Sequence, residues 1–128
     1  MQYDPMDLTV TVGGVYITGF SEDMCEWEKD EDGKTAKVGA QGDVITSKVN
    51  NPLSTFTLTL LSSSPQVAYL DKLAVTGEEV PVSVIYNGDP KESITSTRAF
   101  VKKPAARTYG NEAEDREYEI QMLDHTII

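Results

Sequence analysis

Between Leu53 and Leu61 the chain reads Ser-Thr-Phe-Thr-Leu-Thr-Leu, so that Phe56, Leu58 and Leu60 alternate with Thr55, Thr57 and Thr59. Successive side chains of an extended strand point to opposite faces, whereas a helix would scatter these six residues around its axis. The segment is therefore a strand with one apolar and one hydroxyl face, and it requires a sheet whose core lies on one side. A second segment, Arg116 to Asp124, repeats the pattern, with Tyr118, Ile120 and Met122 set against Glu117, Glu119 and Gln121. Leu8 to Val12, followed by Gly13-Gly14 and Val15 to Thr18, has the signature of a hairpin.

The rest of the chain supports the same architecture. Lys34 to Val38, Asp43 to Val49, Val80 to Tyr86 and Ser93 to Lys103 are further β-prone stretches. Pro81 marks an edge strand or a strand start, and Asn87-Gly88-Asp89-Pro90 marks a turn. The period changes once. Ser64-Pro65 offers an N-cap with proline at the first helical position, and Val67, Leu70, Leu73 and Ala74 recur at helical spacing up to Gly77. The expectation is a mainly β fold, a β-sandwich or partly closed β-barrel with one short α-helix. At 128 residues it forms one domain, 1–128. A long extended loop or hairpin is expected at about 26–51, with Asp30 to Gly33 and Gly39 to Gly42 as its flexible points.

Charge narrows the partners. The chain carries 21 acids against 11 bases, a net −10, which disfavours tight binding to nucleic acid. Glu22 to Asp32 holds seven acids against Lys29, and Glu112 to Glu119 holds five against Arg116. Arg98, Lys102, Lys103 and Arg107 form the opposite pole, a stretch with no acid. Two poles on one small domain favour self-association.

Catalytic chemistry finds little support. Cys25 and His125 are the sole cysteine and histidine, and no motif surrounds either. Gly39 to Gly42 lacks the spacing of a phosphate loop, and Asp30-Glu31-Asp32-Gly33 lacks the ligand series of a calcium loop. No enzyme activity, cofactor, metal or membrane span is expected. An alternative from another class is a non-enzymatic ligand-binding module, for example a sugar-binding β-sandwich displaying Trp27 and tyrosines.

Val15 to Asp23, Trp27 to Asp32, Lys37 to Asp43, Asn50 to Leu53, Ser64 to Gln66, Ala99 to Arg107 and Asp115 to Glu117 follow one another in an order that resembles the small tail tube proteins of contractile-tailed bacteriophages. The resemblance implies stacked hexameric rings around a channel for genome passage. It also implies a surrounding contractile sheath, tail terminator and baseplate proteins as partners, and a place in the virion tail after assembly in the host cytoplasm. DNA would cross the lumen without specific binding. By the same resemblance, Glu26, Trp27, Glu28, Lys29, Asp30, Glu31, Asp32, Lys37, Gln41 and Asp43 belong to a loop that contacts the next ring or subunit. Arg98, Lys102, Lys103 and Arg107 are the expected basic inter-subunit patch. Thr55, Thr57, Thr59, Glu117 and Glu119 are the expected lumen-facing positions, because hydroxyls and acids offer phosphates no fixed cation.

Overall fold

The computed structural model describes residues 2–128. A short 3-10 turn at Pro5–Asp7 precedes ten strands and one helix: β1 Leu8–Val12, β2 Val15–Tyr16, β3 Phe20–Lys29, β4 Lys34–Val38, β5 Val44–Lys48, β6 Ser54–Leu60, α1 Val67–Thr76, β7 Val80–Tyr86, β8 Glu92–Val101, β9 Arg116–Met122 and β10 Thr126–Ile127. Eight strands form one antiparallel sheet in the order β2-β1-β7-β8-β9-β6-β3, with β10 added to β8. The path begins at β2 and ends at β3, and these two are not paired. The sheet therefore curls over its core without closing into a barrel.

The core follows from the alternation. Phe56, Leu58 and Leu60 on β6 meet Tyr118, Ile120 and Met122 on β9, Val10 and Val12 on β1, and Val82 and Val84 on β7, all of them buried. Helix α1 covers this layer with Leu70 and Leu73, the two positions its spacing puts on one stripe. It is pinned from outside as well. The Tyr118 hydroxyl donates to Asp71 Oδ1 at 2.9 Å, and Arg107 forms an ion pair with the same carboxylate.

One boundary departs from expectation. The helix starts at Val67 rather than Pro65: the Ser64 hydroxyl accepts from the Gln66 N–H at 3.4 Å and donates to the Thr18 carbonyl at 2.6 Å, and Gln66 Oε1 accepts from the Thr18 backbone and hydroxyl, so residues 64–66 form a turn tied to Thr18 ahead of the helix. At its other end Gly77 takes the left-handed conformation and its N–H closes on Leu73, as a terminal glycine should. Pro81 stands at a strand start, as the second residue of β7, although that strand is central rather than an edge; the β7–β8 register shifts there, between Val80 and Val82. The Gly13-Gly14 turn fits expectation, since both residues have positive φ, as a two-residue hairpin turn requires.

The expected 26–51 excursion divides in two. Glu26 to Lys29 belong to β3 and pair with Thr57 to Ser54 of β6. The projecting part is a separate two-stranded ribbon, β4 with β5, in register from Lys34↔Lys48 to Val38↔Val44. It leaves the β3–β6 ladder like an arm, tied at its base by Asp30 N–H to the Leu53 carbonyl and Val49 N–H to the Gly33 carbonyl.

Candidate assembly surfaces

Two surfaces lie outside the core's demands: the polar face of β3, β6 and β9, and the arm. Cross-strand register assembles the first. Residues directly opposite one another on antiparallel strands share a face, so Glu28, Thr55 and Gln121 form one row, Glu26, Thr57 and Glu119 the next, and Thr59 with Glu117 a third. The five expected lumen positions therefore lie on one contiguous face, and β3 adds Glu26 and Glu28 to it. The strip carries four glutamates and three threonines; Lys102 Nζ stands 3.6 Å from Glu119, Lys103 shares a hollow with Glu117 and Glu119, and Lys29 shares another with Glu28, Thr55 and Glu119.

Asp30 closes the end of the strip nearest the arm. Its carboxylate accepts from the Thr55 hydroxyl at 2.7 Å and from Gln121 Nε2 at 3.1 Å. The Thr55 bond, with help from Gln121 and the nearby Lys102 charge, holds the Asp30 carboxyl below the usual range despite some desolvation. Gln121 itself is buried and also donates to the Ser54 carbonyl at 2.8 Å, so it locks the arm's root to β6 and β9. Its place beside Met122 in a buried run gave the sequence no sign of that task.

The arm has no comparable support. Every residue of β4 and β5 is exposed, including Val38, Val44 and Ile45, each with about two-thirds of its surface open. Lys37 stands directly across from Ile45 and shares its face. Glu31, Asp32, Gln41 and Asp43 are exposed at the root and tip. Trp27 is not displayed: it sits half-buried against His125, ring centroids 5.3 Å apart, with its indole nitrogen enclosed. That position gives a sugar no stacking platform at Trp27.

The basic stretch is largely committed within the chain. Arg98 forms a two-pronged contact with Glu79, both bonds at 3.1 Å; Arg107 pairs with Asp71, and Lys102 with Glu119. Lys103 is exposed and has no ion pair among the described residues. Nor do the sole cysteine and histidine form a reactive pair. Burial pushes the Cys25 thiol up to about 11, which starves it of thiolate, while His125 Nδ1 lies 3.3 Å from the Pro52 carbonyl.

No protein-family model and no curated protein sequence matches the chain. Solved structures do. A chain of the anti-feeding prophage cap, the AFP tube terminating cap, aligns over 100% of this chain and 93% of its own at 13% identity and a TM-score of 0.59. A chain of the PVC sheath/tube terminator, from an extracellular contractile injection system in its extended state, aligns over 100% and 96% at 11% identity and 0.61. A chain of the PVC sheath-tube complex aligns over 99% and 90% at 11% identity and 0.61. What is shared at such identities is the fold, along nearly the whole length of both partners.

Proposed function

We propose that this chain is a structural, non-enzymatic subunit of the tube of a contractile tail, assembling with copies of itself into stacked hexameric rings inside a sheath. The observation that carries the reading is the contrast between a fully packed body and an arm exposed at every strand position. A ribbon of two strands is marginal in water alone and gains by lying against another chain. The ten-residue β3 supports it too, because among the described residues its outer edge has no strand partner and a neighbour's strand can complete it. Likeness in fold to chains of sheath, tube and terminator structures agrees with this reading.

In this reading the face of Thr55, Thr57, Thr59, Glu117 and Glu119 lines the channel, joined by Glu26 and Glu28. A polyanion such as DNA slides past it because the carboxylates repel it and the hydroxyls offer no fixed charge. The sheath, terminator and baseplate proteins are the outer partners, and the subunit resides in the virion tail. Replacing all three threonines with lysine is expected to leave rings intact while slowing ejection, most strongly at low salt. Unchanged ejection kinetics in assembled particles would turn this face outward.

A second reading, a terminator that caps the tube, is favoured by the two terminator structures among those described. Negative-stain microscopy of the purified chain separates the readings: tubes of stacked rings for a tube subunit, single rings for a terminator, and dispersed monomers for neither.

A further inference from the structure

The arm and the body differ in charge as well as in packing. Lys34, Lys37 and Lys48 face a single acid, Asp43, within the arm, so the remaining chain carries eight bases against twenty acids. The arm is a basic element on a strongly acidic molecule, and its exposed Val38, Val44 and Ile45 ask for apolar cover. Because Lys37 and Ile45 are cross-strand partners, one face of the ribbon presents an apolar anchor beside a cation.

The body holds a depression of matching character. Between the Pro5–Asp7 turn and the start of β3 lies a groove of about 480 Å³ with an apolar lining of Pro5, Leu8, Ile17, Phe20 and Met24 and with Met6 at its rim. Its charged wall residue is Glu22, followed by the exposed Asp23, and no cation among the described residues lines it. The groove lies where the β3–β6 register shifts between Phe20 and Cys25, a stretch in which Met24 has no cross-strand partner on β6. Met6 stands 86% exposed at its rim, although nothing in the chain's own core requires a methionine there.

We infer that this groove receives the arm of a second copy, with Ile45 seated on the apolar lining and Lys37 meeting Glu22. Charge complementarity fixes the choice of occupant. An apolar, acid-walled groove accepts a basic apolar ribbon, and the chain itself supplies that ribbon in every copy. Groove and arm are different patches, so the contact is heterologous and propagates from subunit to subunit. This inference rests on the assembly reading and names the surface that reading leaves unspecified.

The test uses the full chain with Cys25→Ala, which removes the native thiol. Ile45→Cys in one preparation is mixed with Met6→Cys in another under mild oxidation, and with Val75→Cys, an exposed helix position away from the groove, as the control. A disulfide-linked dimer of Ile45→Cys with Met6→Cys, and not with Val75→Cys, is the expected result. Assemblies that form by microscopy without that link overturn the groove and leave the assembly reading standing. Absence of any assembly in the parent protein overturns both. Charge exchange gives a second readout: Lys37→Glu and Glu22→Lys should each raise the critical concentration for assembly about two- to fivefold at low salt, and the double exchange should restore it. Effects of the two changes that simply add would show that the two residues do not meet.

Discussion

Strand β6 and the β4–β5 arm are both antiparallel ladders with complete registers, yet one is buried on alternate residues and the other nowhere. The backbone hydrogen bonds are of the same kind, so they cannot account for the difference. In β6 each apolar side chain has a partner on β9 and a second layer above it, whereas Lys-Thr-Ala-Lys-Val and Val-Ile-Thr-Ser-Lys offer no continuous apolar face. A net contribution near 1 kcal/mol per hydrogen bond does not offset the entropy of ordering a residue at about 1–2 kcal/mol. Burial makes up the shortfall in the body, and in the arm that burial has to come from another chain.

The largest expected effect probes the body. Leu70 is fully buried where α1 meets the sheet. Leu70→Ala should lower stability by about 2–5 kcal/mol through lost transfer energy and a residual cavity, read from chemical unfolding. A change below about 1 kcal/mol would mean that the helix contributes no more packing than the arm does, and the contrast between the two regions would fail.

Asp124 comes next, as the polar counterpart of Leu70. Its Oδ1 accepts from Ser96 Oγ at 2.9 Å and from the backbone N–H groups of Thr97 and Arg98, while Oδ2 accepts from Thr97 Oγ1. The Thr97 hydroxyl bond foremost, followed by the Ser96 and backbone bonds, pulls its carboxyl down to about 2 against partial desolvation. A carboxyl lower in the folded than in the unfolded chain stabilises above the unfolded value of 3.8, and that contribution is lost as pH falls from about 4 to 2. Asp124→Asn should therefore lower stability at pH 7 and flatten the decline between pH 4 and 2. Parallel acid unfolding curves for wild type and variant would show that the carboxylate is not what holds β8 in its bend.

How much of this was legible depended on how local each cause is. The two faces of β6, the α1 stripe ending at Gly77 and the Gly13-Gly14 hairpin are written in residues within one element or one turn, and all were readable. The arm was visible as an excursion, but its root was misplaced, because what keeps Glu26 to Lys29 in the sheet is pairing with residues 54–57, far along the chain. The same distance hides the partners of the basic stretch. Arg98 meets Glu79 and Arg107 meets Asp71, 19 and 36 residues away, so a run that looks unpaired in sequence is mostly neutralised in the fold. Pro81 was legible as a strand start, being the second residue of β7, but nothing local says that β7 lies between β1 and β8 inside the sheet.

The smallest effect on the folded body is expected from the most drastic change. Replacing residues 34–48 with a short Gly-Asn turn removes the whole ribbon, but it deletes no core residue and no ion pair, and Asp30 keeps its bonds from Thr55 and Gln121. Stability should stay within about 0.5 kcal/mol of wild type, as for surface changes remote from packing. Assembly should fail altogether, because the removed surface is the part of the molecule with no partner of its own. Unfolding measured on the monomer, beside sedimentation or microscopy of concentrated protein, reads the two quantities separately. A variant that loses stability would show that the arm belongs to the body after all, and one that keeps assembling would move the subunit contacts to the open edge of β3. The outcome expected here, a sound fold that no longer associates, would divide the molecule into a body that folds by its own burial and an arm whose burial waits for a neighbour.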